Sequence, residues 1–237
     1  MHVLITGGTG GIGSAIVRLF AQKGHKVSFT YHTSKEKAQT MEAECGAFAI
    51  MADGKNEASV QSACFAATDK NGTIDALINC AGISSFQLFQ DVSTALWEEM
   101  MQTNVRSAFF YAREVLPAMI AKKAGCILNI SSIWGMVGAS CEVLYSTTKA
   151  ALIGMTKALA KEVGPSGIRV NCIAPGAIDT PMNRSLDESA IASIVDETPL
   201  GRLGEGKDIA KLALYLAAED SFLTGQVISP NGGFVIC

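Results

Sequence analysis

Val3-Leu4-Ile5-Thr6-Gly7-Gly8-Thr9-Gly10-Gly11-Ile12-Gly13 stands almost at the start of the chain and decides how the rest is read. A short apolar run ends in a cluster of glycines, and the residues from Ile12 to Lys23 then carry apolar side chains at helical spacing. Strand, tight turn and helix in that order form the opening of a βαβ unit. Glycines at the turn let the backbone reverse sharply and let a pyrophosphate approach the main chain. The N–H groups at the helix start are then free to bind it. Gly7, Thr9, Gly11, Ile12 and Gly13 are therefore candidate cofactor contacts; the competing reading is a flexible turn.

The same rhythm continues outward from this stretch. Lys26 to Tyr31, Ala47 to Ala52, Ile74 to Asn79, Cys126 to Ser131, Ile168 to Ala174 and Gln226 to Ser229 read as strands. Ser59 to Lys70, Val105 to Lys122 and Lys149 to Val163 read as helices between them. Strands regularly separated by helices imply right-handed crossovers and a parallel sheet covered on both faces. The expectation is an α/β fold: one Rossmann-type, doubly wound domain over 1–237, with about seven strands.

Composition fits a large buried core. Of the 237 residues, 49% are hydrophobic and only 17% charged, which excludes a disordered chain. A net charge of -3 with scattered basic residues argues against nucleic acid as a partner. Seven widely spaced cysteines, and three histidines all within the first 32 residues, give neither a disulfide framework nor a zinc pattern, so no metal is expected. No apolar run approaches a membrane span and no leader-like segment precedes Val3, so the expected location is the cytoplasm.

The end of the second strand bears on which dinucleotide binds. It reads Tyr31-His32-Thr33-Ser34-Lys35, with no acidic residue before Glu36. A carboxylate there would take the ribose hydroxyls of NAD and repel a 2′-phosphate; hydroxyls, an imidazole and a lysine suit the phosphate of NADP. Tyr31, His32 and Thr33 are thus candidate contacts to NADP, with NAD the alternative. Thr33 and Ser34 would equally serve as caps of a following helix.

These motifs together resemble the short-chain dehydrogenase/reductase family over essentially the whole chain. Thr6-Gly7-x-x-x-Gly11-Ile12-Gly13 looks like its cofactor motif, and Asp53 matches its adenine-contacting Asp. Asn79-Cys80-Ala81-Gly82 is similar to its Asn-Asn-Ala-Gly motif, with Cys80 in place of the second Asn. Asn104, Ser132, Tyr145 and Lys149 fall where the family places its catalytic tetrad. The stretch Pro175-Gly176-Ala177-Ile178-Asp179-Thr180 resembles the segment that contacts nicotinamide, which implies cofactor roles for Pro175, Gly176, Ile178 and Thr180 beside Asn79, Ala81, Gly82, Tyr145 and Lys149.

The chemistry of the tetrad can be argued from the residues themselves. Tyr145 and Lys149 are four apart, so both leave one face of a helix a turn apart. An ammonium near a phenol favours the phenolate, and the expectation is a Tyr145 pKa lowered from about 10 towards neutral pH. Such a group protonates a forming alkoxide or deprotonates an alcohol. Ser132, at the carboxyl edge of a strand, would orient the carbonyl, with Ser131 competing for the role. Asn104 alone would pass as a helix N-cap; the resemblance implies that it holds a water relaying protons towards Lys149.

Within the family, Gly201-Arg202-Leu203-Gly204-Glu205 and the ending Gly225 to Gly233 look most like 3-oxoacyl-[acyl-carrier-protein] reductases. That resemblance implies reduction of an acyl substrate, free or bound to a carrier protein, with Lys122 and Lys123, or Arg106 and Arg113, facing an acidic carrier. Gly10, where NADPH-using relatives commonly carry Arg, and the loop around Cys141-Glu142 depart from the pattern. Apolar residues in three loops, Ile83 to Val92, Ile133 to Leu144 and Met182 to Pro199, suit a lipophilic substrate, and the last loop reads as a lid. Another lipophilic ketone, a steroid or a sugar is the alternative substrate, and a dinucleotide sensor without chemistry is the reading from a different class. Helices apolar on several faces are either deeply buried or pair with another subunit; the resemblance implies a homotetramer with the C-terminus at a second interface, which the apolar tail Phe234 to Cys237 fits.

Overall fold

The computed structural model describes residues 1–183, 187–218 and 221–236. Seven strands, β1 (His2–Thr6), β2 (Lys26–Tyr31), β3 (Phe48–Met51), β4 (Ala76–Asn79), β5 (Gly125–Ile130), β6 (Ile168–Ile173) and β7 (Val227–Ile228), form one sheet in the order β3-β2-β1-β4-β5-β6-β7. Every neighbouring pair is parallel. The helices between them are α1 (Gly11–Gln22), α2 (Lys35–Cys45), α3 (Glu57–Asn71), α4 (Thr94–Met101), α5 (Ser107–Lys122), α6 (Trp134–Val137), α7 (Val143–Val163), α8 (Glu188–Glu197) and α9 (Gly206–Ala217).

Alternation along the central strands builds a core on each face. Val3 and Ile5 of β1, Ile78 of β4 and Leu128 of β5 pack with Ile16 and Phe20 of α1 and with Ile209 and Leu216 of α9. Their neighbours Leu4, Leu77 and Ile127 point the other way and pack with Val60 of α3, Tyr111, Val115 and Met119 of α5, and Val163 of α7. Successive side chains leave a strand on opposite faces, so a continuous apolar run means burial on both sides. Full burial of each such side chain contributes about 1.5–3 kcal/mol. The strands are therefore the stable frame on which the loops at their carboxyl ends are mounted.

The order reverses direction between β1 and β4, whose carboxyl ends lie side by side. In open α/β sheets the crevice for a ligand opens at this switch point. Gly7, after β1, and Ala81, after β4, approach so closely that a Cβ on Gly7 would lie 2.8 Å from the Ala81 Cα. No described helix is long and apolar enough to cross a membrane.

Candidate active site

The glycine turn is shaped by hydrogen bonding before any ligand arrives. Gly8 N donates to Thr30 O at 2.9 Å and Gly10 N to Gly7 O at 2.9 Å, so the loop is pinned to β2 and to itself. α1 begins at Gly11 with no side-chain cap and no acidic residue in its first turn. By contrast, α3, α4 and α8 each have a capping side chain, from Asn56, Ser93 and Asp187. The first N–H groups of a helix have no intrahelical acceptor and carry the positive end of its dipole. With Gly11, Ile12 and Gly13 leading into it, this helix start fits an anionic pyrophosphate. Side chains would fill the approach: a Cβ on Gly11 would meet Thr180 Cβ at 2.5 Å, and one on Gly13 would meet Gly7 O at 2.2 Å.

Thr6 joins the glycine turn to the segment after β4. Its Oγ1 accepts from Cys80 N at 3.0 Å and from Ala81 N at 3.1 Å. Asn79 donates through Nδ2 to Asn129 Oδ1 at 2.9 Å, while its own buried Oδ1 has no partner among the described residues. An open buried acceptor at a strand end is a place for a ligand hydroxyl or amide. Asp53 lies just past β3; its Oδ1 accepts from Lys55 N at 2.9 Å. Tyr31 is half-buried at the end of β2, and His32, Thr33 and Ser34 are exposed beside it. Ser34 occupies the N-cap position of α2, yet its side chain makes no capping bond, so the capping alternative for that residue is not realised.

The tetrad residues converge at the carboxyl ends of β4 and β5. Ser131 and Ser132 divide the roles that the sequence left open between them. Ser131 Oγ donates to Lys149 O at 2.8 Å, a structural tie between β5 and α7. Ser132 Oγ faces the Tyr145 phenol, where its hydrogen bond favours the phenolate, and also accepts from Trp134 N at 3.2 Å. Lys149 is buried, its Nζ donating to Ile130 O at 2.9 Å and standing 5.5 Å from the centre of the Tyr145 ring.

Two expectations are corrected here. Tyr145 is not poised near neutral pH: burial pushes its phenol up to about 12, with the Glu142 charge adding and the Ser132 hydroxyl opposing. The Lys149 ammonium, donating to the Ile130 carbonyl, is not among the groups that set this shift. Burial in turn lowers the pKa of Lys149 itself, with the thiols of Cys80 and Cys172 opposing. Asn104, read from sequence as a possible N-cap, instead sits inside a π-helical turn, Gln102–Arg106, that runs without a break from α4 into α5. Such single wide turns recur at functional sites because they redirect one side chain. Asn104 Oδ1 accepts from Ile83 N at 2.8 Å, and its Nδ2 donates to Ile83 O at 2.9 Å and Thr148 Oγ1 at 3.0 Å. A Cβ on Gly82 would come within 3.3 Å of Asn104 Oδ1 and 3.4 Å of Lys149 Nζ, so a glycine there lets the amide and the ammonium face a common space.

The segment Pro175 to Thr180 is held from behind by both C-terminal motifs. Pro175 O accepts from Ile133 N at 3.0 Å, Gly176 N donates to Pro230 O at 3.2 Å, and Ile178 bridges to Gly204. A Cβ on Gly176 would strike Asn231 Cα at 2.8 Å. The Asn231-Gly232-Gly233 turn therefore backs this segment. Sequence reasoning did not single out Thr148, a member of the Asn104 cluster; its place immediately before Lys149 was the available signal.

Of the loops assigned to substrate, Phe86, Leu88, Phe89, Val137 and Met182 are exposed large apolar residues. Gln87 N donates to Cys141 O at 2.8 Å, joining the first two loops. Trp134 packs edge-on against Phe234, with ring centres 5.9 Å apart. Part of the lid stretch, Arg184, Ser185 and Leu186, and the last tail residue, Cys237, lie outside the described residues; α8 falls within the lid stretch. Lys122 and Lys123 end α5 at the amino edge of the sheet, where Lys122 pairs with Asp75 just before β4. Arg113 pairs with Glu57 and lies over the rings of Phe109 and Phe110.

A family model described as Enoyl-(Acyl carrier protein) reductase matches residues 7–235. The chain is 41% identical to an uncharacterized oxidoreductase, YmfI, of Bacillus subtilis, covering 98% of this chain and 97% of that one. It is 40% identical to the 3-oxoacyl-[acyl-carrier-protein] reductase FabG of Chlamydia trachomatis, over 97% of this chain and 95% of that one. Among solved structures, ElxO with NADP bound superposes with a TM-score of 0.91 at 34% identity, covering 98% of each chain. A double mutant of a Serratia marcescens short-chain dehydrogenase/reductase gives 0.90 at 32% identity, over 98% of this chain and 97% of that one.

Proposed function

The chain belongs to the short-chain dehydrogenase/reductase family, and from that premise we propose that it reduces a 3-oxoacyl thioester with NADPH. The observation that carries the reading is the convergence of Ser132, Tyr145 and Lys149 beside the glycine turn, at the carboxyl edge where β1 and β4 part. Bound NADPH would supply a hydride, the equivalent of two electrons and a proton nucleus, to the carbonyl carbon. The start of α1 would hold the pyrophosphate, with Tyr31, His32 and Thr33 at the 2′-phosphate, Asp53 at the adenine and Asn79 at the inner ribose. The chain's remaining work is positional and electrostatic.

Ser132 Oγ–H would donate to the carbonyl oxygen and hold it beside the phenol. Tyr145 O–H would give its proton to that oxygen as the carbon is reduced, so the product is a secondary alcohol and the residue left behind is a phenolate. A phenol held protonated, as Tyr145 is, suits the acid of a reduction. Lys149 would hold the cofactor ribose and stabilise the phenolate, and Asn104 would hold the water through which the proton is restored. The exposed apolar loop residues Phe86, Leu88 and Phe89 favour an acyl chain over a sugar. A carrier protein delivering that acyl chain would be acidic and would meet exposed basic side chains such as Lys123.

The exposed Phe109, with Met101, Val105, Arg106 and Phe110 around it, forms an apolar face suited to pairing subunits, in keeping with a homotetramer that works in the cytoplasm. The test is the loss of reduced-cofactor absorbance on mixing the protein with NADPH or NADH and acetoacetyl thioesters, steroids or sugars. Turnover of the thioester with NADPH, abolished in Tyr145→Phe with cofactor binding retained, is the expected outcome. Turnover of a steroid or sugar alone would move the substrate class, and full activity of Tyr145→Phe would remove the assigned chemistry.

A further inference from the structure

Glu142 has no part in the mechanism above, yet it stands one turn from the reacting phenol. It is the residue before α7, at the N-cap position, and its side chain makes no capping bond there. It is half-buried, and among the described residues its carboxylate has neither a salt bridge nor a hydrogen bond. Taking a carboxylate partly out of water without a partner costs stability, so such a group commonly has a use at its site. Glu142 just before α7, and Tyr145 and Lys149 on it, stand at intervals of three and four, which sets the phenol between a negative and a positive charge.

We propose that Glu142 is a positioning residue that acts through Tyr145, its negative charge keeping the phenol protonated and so setting the pH above which the phenolate needed for alcohol oxidation forms. The inference rests on the oxidoreductase reading given above. The groups acting on Tyr145 among the described residues are few: Lys149 on its own helix, Glu142 just before it, Cys80 after β4 and Ser132 after β5. Cys80 is itself pushed up to about 11 by burial and stays a neutral thiol near pH 7. Glu142 is thus the one fixed negative charge in that set. Burial raises the pKa of Glu142, but it remains the strongest acid of the four.

The experiment compares wild type, Glu142→Gln and Glu142→Asp in both directions, from pH 6 to 10, with NADPH plus an acetoacetyl thioester and NADP⁺ plus the corresponding 3-hydroxyacyl thioester. Removing the charge is expected to move the rising limb of oxidation down by about half to one pH unit. That corresponds to an oxidation rate about three- to tenfold higher at pH 7, since one unit is a tenfold change in phenolate. Glu142→Asp should restore the wild-type limb. An unmoved limb in Glu142→Gln, or an equal shift in both variants, overturns the proposal. If wild type turns over no carbonyl, the reductase reading fails separately. The phenol is then read directly as the alkaline absorbance difference at 295 nm between proteins with and without Tyr145→Phe. Earlier ionisation in Glu142→Gln supports the proposal, and identical ionisation overturns it.

Discussion

Gly7 and Gly46 form a matched pair that separates backbone strain from crowding at the cofactor turn. Both have φ of +65°, but a Cβ on Gly46 would meet nothing within 4 Å, whereas one on Gly7 would lie 2.8 Å from Ala81 Cα and 3.0 Å from Ala81 N. Alanine in the left-handed region costs about 1–2 kcal/mol, offset by about 0.4–1 kcal/mol through the stiffer unfolded chain. Gly46→Ala should therefore cost about 1 kcal/mol. At Gly7 the intruding methyl meets backbone, and that backbone is held by the hydrogen bonds of Cys80 N and Ala81 N to Thr6 Oγ1. Overpacking of this kind adds about 1–3 kcal/mol, giving about 2–4 kcal/mol in all. In a chain of this length each kcal/mol moves Tm by about 2–4 °C, so Gly46→Ala should melt about 2–4 °C lower and Gly7→Ala about 5–15 °C lower. Thermal unfolding followed by far-UV circular dichroism reads both, and titration with NADPH should show weakened binding in Gly7→Ala alone. Equal losses of Tm with unchanged binding would refute the close approach of the β1 and β4 turns as the reason for glycine.

The two adjacent serines should separate in the opposite sense from their similarity. Ser131→Ala removes a buried tie to α7 and should cost about 0.5–1.5 kcal/mol, while Ser132→Ala should lower kcat by about 10²–10³ with Tm nearly unchanged; a large kcat loss in Ser131→Ala alone would reverse the assignment. At the other edge of the sheet, His2 is buried with its ring between Gly72 O at 2.7 Å and Ser28 Oγ at 2.9 Å. Burial lowers its pKa, with Gly72 and Asp75 opposing, so the folded state favours the neutral ring. Stability from this group is full above the ordinary histidine value of about 6.5 and is lost as pH falls below it. Urea midpoints at pH 7.5 and 5.5 should show that loss, and His2→Gln should reduce it; an identical drop in the variant would show that His2 is not the titrating group.

The parallel sheet was legible because each strand is a short apolar run bounded by helical spacing, and β1, β2, β5 and β6 fall within a residue of their sequence reading at each end. α2 and α4 were not singled out. α2 has only Ala38 and Met41 buried and α4 only Met100, so neither writes a strong apolar period into the chain. The tetrad positions were legible through spacing, but their partners were not. Asn104 is turned by a π-helical turn with no local sequence signature, and Ser131 could be told from Ser132 only by seeing which hydroxyl meets Lys149 O and which faces Tyr145. The Tyr145 acidity was misjudged for the same reason: a pair four apart on a helix says that two side chains share a face, and says nothing of the burial or the carbonyl that engages the ammonium.

These partners have a common character that bears on how the site is kept in order. Thr6 Oγ1 takes the N–H groups of Cys80 and Ala81, Lys149 Nζ gives to Ile130 O, Ser131 Oγ gives to Lys149 O, and Asn104 exchanges bonds with both polar groups of the Ile83 backbone. In each case a side chain is fixed to the main chain of a different element. Main-chain positions at the ends of buried parallel strands are set by the sheet, whose spacing does not depend on any one side chain. The groups around the reacting phenol thereby inherit the rigidity of the frame, Ser132 included through Trp134 N, and Tyr145 is the group left to adjust to what enters the crevice. Preorganisation of this kind places the ammonium and the amide before substrate arrives, so little ordering remains for the reaction itself.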